Sequence, residues 1–498
     1  MAQSRPNVLW YCTDQMRFDT VAALGNPHIR TPNLDRLVAR GTSFLNAYVQ
    51  APVCTPSRVS MLTGRYPASH RVCRNGVRSF PRSEVLVTRL LADAGYDCGL
   101  VGKLHLSTAT HGEERVDDGY SYFAWSHQPM TGEADHLNAY HQWLREEKDV
   151  DPASLFDEQR GFVSAGIPEE LHQTTWCSDM ALRFLDKPRD GPWLLSMNPY
   201  DPHPPFDPPA TYLERYDPAT LPPPLFRASD IERQSMFSRV RSQTVDAVDP
   251  TWDGVNAGDG EEYESQSARG YRPPKRYNGR AAKAAYYAMI ELIDTQFGRI
   301  LDALEARGDA DNTIVIFTSD HGELLGDHGL MYKGCRFFEG LVHVPMIIAG
   351  PGIAHDRQCP ALVELLDLAP TLLDYAGEPT PGRMQGKSLR PLLDAAATVP
   401  DEPDTLKETV FCDFNDSVGY SPVPDDTQAT MTFDGRYKLV VYHSHDIGEL
   451  FDLATDPGEF DNRFYDPEWR ELRDRLILRH LNRFARTVDA GEERVSNA

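Results

Sequence analysis

Five short apolar runs constrain this 498-residue chain more than any other feature. They are Asn7–Cys12, Cys98–Val101, Trp193–Asn198, Thr313–Thr318 and Val344–Ala349. Each is rich in β-forming residues and apolar on both faces, which is the pattern of parallel strands buried beneath helices. Helical patterns lie between them, at Asn33–Arg40, Glu84–Ala94, Asp179–Leu185 and Asp367–Ala376. The longest, Gly279–Arg307, places Ala285, Met289, Leu292, Ile293, Phe297, Ile300, Leu301 and Leu304 at helical spacing. Alternating helices and buried strands predict an α/β fold with a mostly parallel central sheet flanked by helices.

A chain of this length is too long for one simple core. The stretch 214–278 has few apolar runs and many Pro, Gly, Asp and Arg residues, and reads as a surface insertion. The Pro- and Asp-rich segment Val399–Thr405 reads as a linker. After it come short strand patterns at Thr409–Phe414, Ala429–Phe433, Tyr437–Tyr442 and Glu449–Leu453, then a helical pattern over Pro467–Arg486. Two units are expected: a catalytic domain over 1–400, and a smaller α+β subdomain with an antiparallel sheet over 406–498. The long insertion and the extended last helix favour a homo-oligomer.

The formal net charge is −24, from 74 acidic and 50 basic residues. Such a surface repels nucleic acid and anionic membranes, so neither is an expected partner. No window reaches the roughly 18–20 apolar residues of a spanning helix. The first residues carry no apolar run behind a basic start, and the eight scattered cysteines form no CxxC pair. A cytoplasmic enzyme with reduced cysteines is the expectation. If its substrate is an anion, the site must supply its own positive charge.

The chemistry-bearing motifs follow the strand runs. Cys54-Thr55-Pro56-Ser57-Arg58, continuing to Leu62-Thr63-Gly64-Arg65, leads into a predicted helix. A cysteine at a helix N-terminus sits in positive potential, which suits a nucleophile, and Arg58 one turn on can pair with an anion or clamp the turn. A buried cysteine in a tight turn explains the same residues. Asp14-Gln15 follows the first strand, and Asp320-His321-Gly322 follows the fourth; these are the strand ends where α/β folds place ligands. Asp and His are metal ligands, and Asp327-His328 stands where it can support them. Singly, each also serves as a cap or turn residue. Lys103 and His105 follow the second strand, and extended chain would point both to one side. His203 lies between prolines after the third strand, and Lys333-Gly334 comes later. Together these cations suit the peripheral oxygens of a sulfate or phosphate and protonation of its leaving group.

Taken together, the CTPSR…LTGR signature and these strand-end residues resemble the sulfatase family of the alkaline phosphatase superfamily. The resemblance runs from Asn7-Val8-Leu9 to Glu449–Leu453 and Asp456-Pro457-Gly458-Glu459. It implies that a separate maturation enzyme oxidises Cys54 to Cα-formylglycine. The hydrated aldehyde then attacks sulfur, and the covalent sulfate ester collapses by eliminating sulfate. It further implies that Asp14, Gln15, Asp320 and His321, with the modified Cys54, hold one divalent metal ion. Arg58 would stabilise the formylglycine. Lys103, His105, His203 and Lys333 would bind sulfate and assist proton transfer, and Asn75 would touch the oxyanion.

Two positions depart from the usual pattern: Gln15 stands where Asp is typical, and His321 where Asn is typical. Both resemble the phosphonate monoester hydrolase and choline sulfatase branches, whereas Gly102-Lys103-Leu104-His105 resembles the sulfatase form of its loop. An all-oxygen site suits Ca²⁺, and an imidazole moves the expectation towards Mn²⁺. The leading expectation is arylsulfatase-like hydrolysis of a small-molecule sulfate ester. Hydrolysis of a phosphonate monoester or phosphodiester in the same site is the alternative.

Overall fold

The computed structural model describes residues 5–132, 134–156, 163–240, 242–243, 246–253, 277–395, 406–416, 427–443, 445–489 and 491. The expected linker Val399–Thr405 and part of the expected insertion, 254–276, lie outside the described residues.

Eight strands form the main sheet: β1 (Asn7–Thr13), β2 (Gly41–Tyr48), β3 (Asp97–Gly102), β4 (Tyr120–Trp125), β5 (Trp193–Asn198), β6 (Thr313–Ser319), β7 (Met346–Ala349) and β8 (Arg357–Glu364). Their order is β4-β3-β5-β1-β6-β7-β2-β8. All neighbours pair in parallel except at β7, which is antiparallel to both β6 and β2. The run ending at Ala349 is therefore not a parallel strand as expected. Composition does not encode direction: a strand buried on both faces reads the same either way.

Burial alternates along β1 between two cores. Val8, Trp10 and Cys12 face one, and Leu9 and Tyr11 face the other. On the second face lies the helix Gly279–Arg307, whose Phe297 ring meets Tyr11 edge-on at 5.1 Å. Asn278 caps it by accepting from the Ala281 amide at 3.0 Å, and Gly308 ends it in the left-handed region at φ 74°. Nineteen of its 29 residues are buried, so it is a core helix rather than an amphipathic surface one. The helices Cys54–Thr63 and Leu368–Ala376 cover the first face.

The predicted strand runs after β8 form a second sheet. β9 (Val410–Asn415), β10 (Gln428–Phe433), β11 (Tyr437–Tyr442) and β12 (Ile447–Asp452) are antiparallel in the order β12-β11-β10-β9. The helix Arg470–Ala485 follows. The described part of the stretch after Leu213 is more than a surface excursion. Tyr216, Leu221, Phe237 and Val240 are buried, and the Phe237 ring lies 5.0 Å from that of Tyr442.

Candidate active site

β1, β3, β5 and β6 run in parallel, so their C-terminal ends share one edge of the sheet. The chain keeps pairing beyond those ends. The Asp14 amide donates to Asp201 O at 3.2 Å, the Asp320 amide to Thr13 O at 3.2 Å, and the Lys103 amide to Asn198 O at 2.9 Å. Lys103 needs the turn at Gly102, where φ is 90° and a Cβ would lie 2.0 Å from Asn198 O. β2 runs the same way as β6, because β7 between them opposes both. Its end delivers the helix Cys54–Thr63 to the same edge.

All ten residues of that helix are buried. Its N-terminus has no side-chain cap at Val53; instead Asn75 Oδ1 accepts from the Thr55 amide at 2.9 Å. Asn75 thus fixes the turn that carries Cys54. The Ser57 hydroxyl donates to Asp320 O at 2.5 Å and Arg58 Nε to Asp320 Oδ2 at 2.7 Å, locking the helix to the end of β6.

The expected residues converge on Cys54. Its Sγ lies 3.0 Å from Lys333 Nζ, 3.1 Å from His321 Nε2, 3.6 Å from Asp14 Oδ1 and 3.8 Å from Lys103 Nζ. Ligand atoms of Asp14, Cys54, Asp320 and His321 all lie within 4.8 Å of one another, and all four residues are buried. Gln15 joins them: its amide oxygen accepts from Lys333 Nζ at 2.8 Å, and its Nε2 donates to Glu323. His321 Nδ1 lies 2.8 Å from Gly322 O, so Nδ1 carries the hydrogen and Nε2 faces the cluster. Lys103 Nζ donates to Asp14 Oδ2. Arg58 Nη1 donates to Lys103 O at 3.1 Å, and its Nη2 is buried without a hydrogen-bond partner.

The electrostatics follow from this crowding. Burial pushes the Asp14 carboxyl up, but the cations around it, Lys103 foremost with Lys333 and Arg58, hold it well below the usual range. Burial and Asp14 also raise the Cys54 thiol, and Lys103, Lys333 and His321 outweigh them and lower it. His203 and His105 are driven well below the ordinary imidazole value, first by burial and then by the neighbouring lysines, so both rings are neutral near pH 7. His203 Nδ1 meets Pro204 O at 2.8 Å.

Some expectations need correction. Lys103 and His105 are not in extended chain: β3 ends at Gly102, and His105 has φ 59°. The loop is held instead by Glu113, which accepts from the His105 amide at 2.7 Å and from the Leu106 amide. Gly322 lets the chain pass close against the short helix Glu339–Val342: a Cβ would lie 2.0 Å from Gly340 O. Asp327 accepts from Arg17 Nη1 at 2.8 Å, and His328 stacks on Phe338 at 3.9 Å, so neither reaches the ligand atoms. Arg17 Nη1 also donates to Glu323 O at 2.9 Å, which is Asp327's indirect link to the site. None of the eight cysteines is in a disulfide.

Sequence reasoning missed Glu323, Glu113 and His127. Glu323 directly follows Asp320-His321-Gly322 but had no visible partner until the fold brought Gln15 to it. His127 follows β4, which the apolar-run pattern did not mark as a strand.

The sulfatase family model matches residues 6–378, and that for the C-terminal part of N-sulphoglucosamine sulphohydrolase matches 326–486. An arylsulfatase of Clostridium perfringens is 30% identical, with 95% of this chain and 93% of that protein covered. The multifunctional alkaline phosphatase superfamily protein PehA of Trinickia caryophylli is 31% identical, with 94% and 93% covered. Among solved structures, the phosphonate monoester hydrolase of Agrobacterium radiobacter superposes with a TM-score of 0.78 at 25% identity, covering 97% of this chain and 96% of that one.

Proposed function

We propose that this chain, which belongs to the sulfatase family, works through an oxidised Cys54 beside a bound divalent metal ion. It is a sulfuric ester hydrolase on an alkaline-phosphatase-like fold. The observation that carries the mechanism is the position of Cys54: at the positive end of a buried helix, between Lys333 Nζ at 3.0 Å and His321 Nε2 at 3.1 Å.

The donor set fits a metal. Two carboxylates and an imidazole Nε2 gather with Cys54 round one point, the Gln15 amide oxygen joins them through Lys333, and their outward atoms are held by Lys103, Arg58, Gly322 and Glu323. We assign Asp14, Gln15, Asp320 and His321 as its ligands, with Cys54 completing the site. The imidazole favours Mn²⁺ over the Ca²⁺ that an all-oxygen site would take. When bound, the ion polarises the ester oxygens and lowers the pKa of the attacking oxygen. That oxygen belongs to the hydrate of Cα-formylglycine at position 54, made by a maturation enzyme.

The chain's own residues do the rest. Lys103 and Lys333 hold the peripheral sulfate oxygens and offset the repulsion an anion meets from a chain of charge −24. Arg58 fixes Asp320 through Nε, and its Nη2, without a hydrogen-bond partner, lies 3.8 Å from Asp14 Oδ2 beside the site. His203, with Nδ1 tied to Pro204 O, presents Nε2 to take the proton of the attacking hydroxyl and pass it to the leaving group. His105 binds beside Lys103, and Asn75 holds the helix turn next to the oxyanion.

The aryl preference rests on the Clostridium relative's name. A second reading has its own support: PehA and the phosphonate monoester hydrolase fold point to phosphonate monoesters or phosphodiesters, whose monoanions carry the same charge as a sulfate monoester. Comparing kcat/KM for an aryl sulfate and an aryl phosphonate monoester separates them; a large phosphonate preference overturns the first. Mass spectrometry of the Cys54 peptide tests the nucleophile. We expect the mass of the aldehyde, and only unmodified cysteine in fully active protein would sink the proposal.

We take 1–400 as the catalytic domain and 406–498 as the C-terminal subdomain. No helix among the described residues is long and apolar enough to cross a membrane. A cytoplasmic location fits the sequence, and the exposed Leu478, Leu481 and Val488 near the C-terminus fit a homo-oligomer.

A further inference from the structure

One imidazole beside the site belongs to none of the motifs. His127 follows β4, and its ring meets that of His105 edge-to-face, with centroids 4.5 Å apart and planes at 80°. Nδ1 of His105 and Nδ1 of His127 are both buried without a hydrogen-bond partner. Two such atoms on contacting rings are unusual, because buried polar groups ordinarily find partners. Neither Nδ1 atom reaches water, and no neighbouring side chain bonds to either.

The ring contact with His105 places His127 at the edge of the site, and the charges acting on it are those of the site. Burial is the largest influence, followed by Lys103, Asp14, Arg58 and Lys333, the residues gathered around Cys54. The net effect holds the ring well below the usual imidazole range. A neutral imidazole donates from one nitrogen and accepts at the other. His105 is buried whereas His127 is partly exposed, so His127 lies on the solvent side of the pair. The Trp125 ring lies nearly parallel to it at 6.4 Å, and Trp125 Nε1 donates to Glu113 at 3.1 Å, the carboxylate that also holds the His105 loop. The platform behind His127 is therefore fixed to the loop that carries His105.

We propose that His127 is a specificity-determining residue that contacts the organic side of the ester and selects leaving groups bearing a hydroxyl beside the ester oxygen, as polyols and sugars do. The inference rests on the ester-hydrolase reading above. Lys103, Lys333 and His203 face the anionic group, and the outer imidazole is left for the alcohol. A vicinal hydroxyl can donate to one unpartnered nitrogen and accept from the other ring, which bare alkyl or aryl groups cannot do. Sites built around a substrate hydroxyl discriminate strongly against analogues lacking it.

The test uses 2-hydroxyphenyl and 4-hydroxyphenyl sulfate with the mature enzyme. The ratio of their kcat/KM values is measured for wild type, His127→Phe and His127→Asn. Intrinsic reactivity cancels when ratios are compared between enzymes. We expect the ortho/para ratio to fall about tenfold in His127→Phe, the size of one lost hydrogen bond, with part of it restored in His127→Asn. Phe keeps the ring packing, so a lost fold would show as a lowered melting temperature and equal losses on both substrates. A ratio equal in wild type and His127→Phe overturns the proposal. If wild type turns over neither sulfate but hydrolyses phosphonates, the sulfate reading fails by itself. The same ratio is then read on the two hydroxyphenyl phenylphosphonates, where its shift or constancy decides.

Discussion

Two buried clusters of charge sit in this molecule, and they are built differently. Around Cys54 are Asp14, Asp320, Lys103, Lys333 and Arg58. Where the second sheet meets the first, Lys438 on β11 is enclosed by Glu339 and Glu459. The Lys438 cluster closes on itself: Nζ donates to Glu339 at 2.6 Å, Glu459 at 2.7 Å and Phe337 O at 3.0 Å, using all three hydrogens. Glu339 also accepts from Tyr48 and from His343 Nδ1 at 2.8 Å. Burial opposes the charge on Lys438, but Glu339 and Glu459 hold its pKa above the usual value. The Cys54 cluster is not closed. Arg58 Nη2, Thr55 Oγ1, Thr318 Oγ1 and His105 Nδ1 lack hydrogen-bond partners. Complete satisfaction marks a joint, and incomplete satisfaction marks a place kept for a ligand.

Breaking the two clusters should give opposite phenotypes. Cys54→Ala should reduce turnover by at least about 10⁴-fold with an unchanged melting temperature, since the nucleophile goes and no partner is stranded inside a closed network. Lys438→Met should do the reverse. It leaves two buried carboxylates facing each other, so urea melts should show a loss of roughly 3–5 kcal/mol while kcat below the transition stays the same. If Lys438→Met instead lowered kcat without lowering stability, the contrast would be wrong. Lys333→Ala should lower kcat/KM by about 10²–10³-fold, in line with loss of one preorganised oxyanion partner, and leave stability unchanged. Stripping divalent cations with a chelator should abolish activity and lower the melting temperature, and re-adding Mn²⁺ or Ca²⁺ should restore both; saturation at a hundred times Kd is worth about 2.7 kcal/mol.

A third group sharpens the comparison at the smallest scale. Asp294, on the helix Gly279–Arg307, accepts from the Leu34 amide at 2.7 Å and the Asn33 amide at 3.0 Å, capping another helix. Burial pushes its carboxyl up to about 6, against those hydrogen bonds. The folded state therefore holds this proton to higher pH than the unfolded chain. Its contribution is fully present below about pH 4 and is lost as pH rises through about 6, on the order of 3 kcal/mol in all. Stability measured from pH 4 to 7 should carry that slope in wild type and lose it in Asp294→Asn.

The sequence was legible where one signal sufficed. Gly279–Arg307, Trp193–Asn198 and Tyr437–Tyr442 have the bounds expected from pattern alone. β2, β4 and β8 were not recognised as strands. β2 reads Gly-Thr-Ser-Phe-Leu-Asn-Ala-Tyr and β8 carries Pro360 at an edge, so neither is an apolar run. β4 ends the other side of the sheet, and its aromatic residues pack: the Tyr120 hydroxyl donates to Ser196 Oγ at 2.9 Å. In the site, Asp14 and Asp320 were visible because they directly follow strong strands, and Cys54 because it opens the compact CTPSR motif. Glu323 and His127 act across more than 100 residues or after an unseen strand, and local pattern carries no such information.

The reversal at β7 has a consequence for how the site is threaded. Two adjacent strands that point the same way need a crossover carrying the chain back past the sheet to the opposite rim. Because β7 opposes β6, the chain leaves β6 at Ser319 and re-enters at Met346 on the same rim. The 26 residues between never have to leave it. Asp320, His321, Glu323 and Lys333 therefore belong to one continuous bight of chain. Two of the four proposed ligands and the cation that faces them are strung on a single loop, and one turned strand lets that loop begin and end on the same rim.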